Sequence, residues 1–322
     1  MVLELSNQSP GAMRLYALQL RLRPLQSGTL MPFSGELVHG AFLHWLKKTA
    51  PDVAAWLHEG QKRRFFTCSS LQFNRSEQGL LKAQRENIHL PLQPQETYTV
   101  RLTLLLGDLF PLFYEALTPF AASRRDSETA PFLHIGKQRC QLEEMLLTRD
   151  DPCGWTSFTS LPQLVEQVRQ LHPDRSAALT LEFASLTTFN RGNSKTGYGS
   201  YPVMFPLPEY VFQNLLKRWE DIAPPELAGL IQREQIEQYL QEDGIIVVDY
   251  NLKPHHVHFT THQQRGFVGT CTYQLRGRDE QIAPESPLTV RQQIYLLAFL
   301  AFYSGVGYKT AMGLGQTRVK VE

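Results

Sequence analysis

Ten histidines supply the groups that could move protons at neutral pH, because an imidazole with a pKa of about 6.5 populates both protonation states there. In AWLHEGQKRRF, His58 stands just ahead of Lys62, Arg63 and Arg64, so an exchangeable proton and a compact positive charge share one turn region. A plainer reading of the same stretch is a histidine at a helix C-terminus, favoured by the macrodipole, with solvated basic neighbours. His39 and His44 fall within a helix-like segment and sit about 140° apart at 100° per residue, so a straight helix cannot aim both into one pocket. His39 shares its side with Gly40, Leu43 and Lys47, while His44 neighbours Lys48. Gly40 beside His39 leaves room for a backbone to approach. Either histidine could instead be a packed, hydrogen-bonded helix residue. KPHHVHFTTH adds His255, His256, His258 and His262, of which His256 and His258 would share one strand face at a spacing that can bind metal. No nearby carboxylate or thiolate completes a ligand set, so no metal site is expected.

Near the C-terminus, FLAFYSGVGYKTAMGLGQTRVKVE places Gly305, Gly307, Gly313 and Gly315 around Lys309 and Thr310. Backbone amides can approach an anion closely only where no side chain intervenes, which makes the stretch a candidate phosphate-binding loop. It is not a mononucleotide P-loop, because it lacks the Gly-x-x-x-x-Gly-Lys-Ser/Thr spacing. Nor is it a dinucleotide fingerprint, because Thr310 stands where the third glycine belongs. The context is reversed as well: an apolar helical run, Leu296 to Tyr303, precedes the glycines and an alternating stretch, Gln316 to Val321, follows them. A helix C-cap and a tight turn would explain part of this pattern. They leave Tyr308, Lys309 and Arg318 unexplained.

The elements that must carry these residues begin with RLYALQLRLR, Arg14 to Arg23, whose alternation predicts a half-buried strand with Tyr16, Leu18, Leu20 and Leu22 on one face. Ser34 is a candidate N-cap for a helix to Lys48, with Val38, Ala41, Phe42 and Trp45 as its buried stripe. A short helix over residues 51–58 follows. Strands are expected over 65–73, 79–85 and 97–106, then a helix over 108–117 and a strand over 132–145. Prolines and polar residues between 148 and 176 suggest a domain boundary. Beyond it the spacing predicts a strand at 177–183, helices at 208–220 and 224–240, strands at 245–259 and 266–275, a helix at 287–303 and a last strand at 315–321. Strand, helix, strand, strand, helix, strand thus recurs, and the expected fold is α+β with two tandem ferredoxin-like domains, 1–148 and 176–322.

With 322 residues, the chain has enough length for two cores. Its 32 Lys and Arg nearly balance 31 Asp and Glu, so any basic surface must be local. The first thirty residues lack the sections of a signal peptide, and no apolar run reaches membrane-spanning length, so a cytoplasmic protein with no membrane partner is expected. Cys68, Cys140, Cys153 and Cys271 are scattered, which points to reduced, mostly buried thiols and not to a disulfide framework or a zinc ribbon.

Several stretches together resemble the CRISPR-associated endoribonucleases that cut precursor CRISPR RNA within its repeats. They are GAFLHWLKKTAPDVAAWLHEGQKRRFFTCSSL (Gly40 to Leu71), LEFASLTTFNRG (Leu181 to Gly192) leading to FPLPEYVFQNLLKRW, RGFVGTCTYQL (Arg265 to Leu275) and GVGYKTAMGLGQTR (Gly305 to Arg318). The resemblance covers most of the chain, and the glycine loop is its most specific part. It implies two ferredoxin-like domains, a loop that contacts the RNA backbone, and no cofactor. It also implies metal-free chemistry in which the ribose 2′-OH attacks the adjacent phosphorus, giving a 2′,3′-cyclic phosphate and a 5′-OH.

Such a reaction needs a base, an acid and positive charge near the phosphorane oxygens. By resemblance the catalytic set is His58, a second group from the helix that carries His39 and His44, and Arg64; helix geometry favours His39 over His44. The RNA-binding set is Gly305, Gly307, Lys309, Gly313, Gly315 and Arg191, with Lys195 in the same polar loop as Arg191. The expected partners are CRISPR repeat RNA, precursor and mature, bound by a monomer or homodimer, and other CRISPR effector subunits. The alternative is a noncatalytic RNA-binding subunit of a CRISPR effector complex, since a shared fold does not establish function.

Overall fold

Local sequence explains most of the elements, and long-range packing explains the rest. The computed structural model describes residues 13–58, 65–121, 132–148, 154–171, 178–192, 199–277 and 287–320. They form two compact units. The first comprises the chain up to Phe158 together with Val257–Gln264 and Ala311–Gly313, and the second comprises Thr159–His256, Arg265–Thr310 and the segment from Leu314 onward.

In the first unit the chain runs β1 (Arg14–Pro24), β2 (Gly28–Leu30), α1 (Gly35–Thr49), α2 (Pro51–His58), β3 (Phe66–Cys68), α3 (Glu77–Glu86), β4 (Leu90–Leu92), β5 (Tyr98–Leu104), α4 (Leu109–Ala121), β6 (Leu133–Ile135) and β7 (Gln138–Leu146), and β8 (Ser157–Ser160) runs across the boundary at Phe158. The main sheet has the order β3-β5-β1-β7-β6, with antiparallel pairings throughout this path. Tyr16, Leu18, Leu20 and Leu22 are buried as the alternation requires, but so are Leu15, Ala17 and Gln19 on the opposite face. Strand β1 is therefore covered on both sides, where the sequence predicts a half-buried strand. Polar side chains on that second face find partners inside it, as with the Thr67 and Thr103 hydroxyls 2.7 Å apart.

Helix α1 packs on α2, α4 and β3, burying Val38, Ala41, Phe42 and Trp45. Phe42 stacks on Phe66 at 4.3 Å and meets Phe113 at 5.3 Å. A fully buried side chain of this size contributes roughly 1.5–3 kcal/mol. Ser34 is the N-cap residue by position but makes no side-chain cap. Its hydroxyl instead accepts the Leu71 amide at 2.9 Å, while its own amide donates to Ser70 Oγ at 3.2 Å, tying the start of α1 to the chain after β3.

Two expectations fail here. Residues 79–85 form α3 and not a strand: Ser76 caps Gly79 N, Asn87 closes the helix in the left-handed conformation, and Ala83 is its buried contact. The strand expected over 132–145 is a hairpin, β6 and β7, turning through Gly136 and Lys137 with Ile135 paired to Gln138.

The second unit contains α5 (Leu161–Arg169), β9 (Ala178–Thr187), β10 (Phe189–Arg191), β11 (Tyr201–Val203), α6 (Pro208–Ile222), α7 (Pro225–Ala228), α8 (Arg233–Gln241), β12 (Ile245–His258), β13 (Gln263–Leu275), α9 (Val290–Ser304) and β14 (Thr317–Val319). Its sheet has the order β12-β13-β9-β14, and β10 pairs separately with β11. In each sheet, taking β1, β3, β5, β7 and then β9, β12, β13, β14 as the main strands, the spatial order is second, third, first, fourth. The repeat suggested by element order thus extends to strand arrangement. The stretch 161–169, inside the segment expected to be a polar boundary, is an amphipathic helix with a full capping box at Ser160 and Gln163. The single helix expected over 224–240 is two, α7 and α8, because Gly229 ends the first turn and Arg233 starts anew.

Candidate active site

His39 lies on the buried side of α1 with only 7% of its surface exposed. Its Nδ1 is 2.9 Å from the carbonyl oxygen of Ala311. A carbonyl only accepts, so Nδ1 carries the proton, and in the neutral ring the lone pair is on Nε2. The ring stacks on Phe66 at 5.4 Å with 17° between planes, which sets its orientation from a second direction. The same Ala311 oxygen receives Cys68 Sγ at 2.8 Å. Burial pushes the Cys68 thiol well above its ordinary range, against a smaller opposing effect of the Gly313 backbone, so the sulfur keeps its proton and donates it.

The remaining candidates are placed differently. His58 is exposed at the end of α2, and His44 is exposed on α1. Arg64, with Lys62 and Arg63, lies outside the described residues, as does Lys195. His258 Nε2 approaches the Arg85 carbonyl at 3.1 Å and Gln263 Nε2 at 3.2 Å, and His262 stacks on Phe259 at 4.9 Å. Among the described residues, no group of three or more His, Cys, Asp or Glu side chains could hold a metal ion. Nor does any described helix have the length and apolarity to cross a membrane.

Helix α9 ends at Ser304 with Gly305 as its C-cap, and the glycine loop follows as the reversed context predicts. Five of its amides have protein acceptors. Gly305 N donates to Ala301 O, Val306 N to Gly315 O, Tyr308 N to Thr188 O and Gly315 N to Leu186 O, at 2.8 to 3.0 Å. Gly307 N donates to Asn214 Oδ1 at 2.9 Å. What the loop turns outward is Tyr308, 41% exposed, with the Lys309 ammonium 5.5 Å from its ring. Arg218, buried on α6, donates to Thr310 Oγ1 at 2.9 Å. Gly313 packs within the first unit, against Gly35 and Ser70. Arg191, exposed at the end of β10, hydrogen-bonds Tyr210 Oη and lies 5.5 Å over that ring.

The histidine's surroundings are where sequence reasoning fell short. Nothing in FTCSSL or KTAMGL marks Cys68 or Ala311 as neighbours of His39, because their only sequence signals are apolar character and burial.

Two family models match the chain: one described as the Cas6 N-terminal domain over residues 14–166, the other as CRISPR-associated endoribonuclease Cas6 over residues 181–317. A CRISPR-associated endoribonuclease Cas6 of Streptococcus thermophilus is 27% identical over 233 residues, covering 62% of this chain and 88% of that protein. Among solved structures, a Cas6 product complex aligns with a TM-score of 0.71 at 24% identity over 96% of this chain and 100% of that one. Thermus thermophilus Cas6 aligns with a TM-score of 0.63 at 23% identity over 97% of this chain and all of its own. At these identities the structures speak for the fold, which is the mixed α/β fold of the Cas6 structures. The family models cover both halves of the chain, and the protein belongs to the Cas6 family of CRISPR-associated endoribonucleases, whose work is to process CRISPR RNA by cutting it within its repeats.

Proposed function

We propose that this protein cuts precursor CRISPR RNA within its repeats without a metal ion, by attack of a ribose 2′-OH on the adjacent phosphorus. The products are a 2′,3′-cyclic phosphate and a 5′-OH. The two units are read as tandem ferredoxin-like domains, the first carrying the chemistry and the second gripping RNA. His39 Nε2 accepts the 2′-OH proton, His58 donates to the departing 5′ oxygen, and Arg64 stabilises the charge that builds on the phosphorane. The observation that carries the assignment is the His39 to Ala311 hydrogen bond, which leaves the neutral imidazole in the tautomer a general base needs.

RNA is held by side chains more than by loop amides, since the amides of Gly305, Gly307 and Gly315 already have protein acceptors. The glycines shape the loop, Gly313 among them, while Lys309 and Arg191 meet phosphate. Specificity then follows from RNA shape and single-stranded flanks.

The test is cleavage of repeat RNA in EDTA under single-turnover conditions, with end-group analysis of the products. His39→Ala is expected to lower the rate by about 10²–10⁴-fold, the usual worth of a positioned base, while repeat RNA still binds. Wild-type rates from His39→Ala would end the base assignment. Binding without any cleavage in EDTA by the wild-type protein would favour the noncatalytic effector subunit.

A further inference from the structure

In the first unit, the start of α1 is in contact with three residues from the far end of the chain. If Gly35 carried a Cβ, that atom would lie 2.0 Å from Met312 O and 2.5 Å from Met312 C. Both are backbone atoms that cannot rotate aside, so any larger residue at position 35 must displace the turn. Gly313 answers from the other side. Its φ of +90° disfavours a side chain, and an added Cβ would lie 3.1 Å from Gly35 Cα and 3.2 Å from Ser70 N. Ser34 is meanwhile tied to Ser70 and Leu71 by two hydrogen bonds. Two glycines thus let Ala311–Gly313 lie directly against the first turn of α1 and the chain after β3. The Ala311 carbonyl is thereby brought to His39, 272 residues away in sequence, and to Cys68.

We infer that the Ala311–Gly313 turn is the positioning element of the catalytic histidine, with the Ala311 carbonyl as the group that selects its tautomer and the facing glycines Gly35 and Gly313 as the residues that let the carbonyl reach it. This rests on His39 being the base. An orienting acceptor on the far ring nitrogen fixes the tautomer and direction of an imidazole, and a misplacement of about 1 Å at a reacting group can cost about 100-fold in rate. Phe66, stacked on the ring, fixes its plane, while Ala311 fixes rotation within that plane. The glycine-rich C-terminus therefore has a task at the reaction centre, separate from any contact with RNA.

The experiment begins with the wild-type protein. Two-dimensional ¹H–¹⁵N spectra of histidine-labelled protein, assigned by His39→Ala, should show neutral His39 protonated at Nδ1; an Nε2–H tautomer would overturn the proposal. Gly35→Ala should then lose that tautomer and reduce single-turnover cleavage about 100-fold. Its Kd for repeat RNA should stay within about threefold, since tautomer selection acts on chemistry and not on phosphate contacts. Gly313→Ala, whose added atom meets longer contacts but whose φ of +90° is strained for a side chain, should show the same changes and serves if Gly35→Ala does not fold. A variant that loses the tautomer yet cleaves at the wild-type rate would also overturn the proposal. The proposed function fails by a different result, undiminished cleavage by His39→Ala, which leaves the tautomer measurement standing.

Discussion

A histidine works as a base only if one nitrogen is held and the other presented, and His39 has its Nδ1 held by a main-chain oxygen. Main-chain acceptors cannot be lost by point substitution, so the site's vulnerable positions are those that admit the turn, Gly35 above all. Lys309 belongs to the same scale of argument. Its backbone adopts a φ of +55°, and its ammonium lies over the Tyr308 ring at the exposed edge of the loop. If that ammonium meets a phosphate, Lys309→Ala should weaken binding across repeat sequences and lower the slope of log Kobs against log salt by about 1. Titrations between low and moderate salt measure this slope. An unchanged slope would remove Lys309 from the phosphate contacts.

Among the elements, α1 carries the most consequence, because its buried stripe anchors Phe42 and Trp45 while its first turn meets Met312. Gly40 sits in the middle of this helix, exposed, and a Cβ there would find nothing within 4 Å. Gly40→Ala should therefore stabilise the protein by roughly 0.5–1 kcal/mol, the helix-interior cost of glycine. Urea denaturation with an unchanged m-value would report it. A destabilised variant would mean that something the sequence does not declare approaches α1 at this point. Helix α3 shows how one residue can mislead. Gly79 lowers helix propensity, yet Ser76 and Asn87 supply both caps and Ala83 supplies the buried contact, so the capping signals outweigh it.

Across the whole molecule, the buried ionisable groups set an alkaline limit. Burial raises the Cys140 thiol from its ordinary 9.0 to about 12 and the Cys271 thiol from 9.0 to about 11. The Tyr98 phenol rises from 10.0 to about 12, first through burial and then through its bond to Glu96. Between their unfolded and folded values these groups bind more protons in the native state, so stability falls as pH rises. Their contribution is complete below about pH 9 and should be lost progressively through pH 11–12. Urea midpoints collected from pH 8 upward should decline, with Cys140 and Tyr98 acting in the first unit and Cys271 in the second. A flat profile over that range would contradict the burial of these groups.

From sequence alone one could read the alternation of β1, the stripe of α1, the helix–glycine loop–strand order at the C-terminus and the stretches that resemble repeat-processing endoribonucleases. Each rests on residues within a turn or two of one another, where periodicity and glycine geometry act directly. The tertiary structure decided that β1 is covered on both faces, that the amides of Gly305, Gly307 and Gly315 have protein acceptors, and that Ala311 meets both His39 and Cys68. Those outcomes join positions as many as 272 residues apart. Chain topology sets such pairings, and no local period encodes them, because a carbonyl's partner depends on which segment packing brings within about 3 Å.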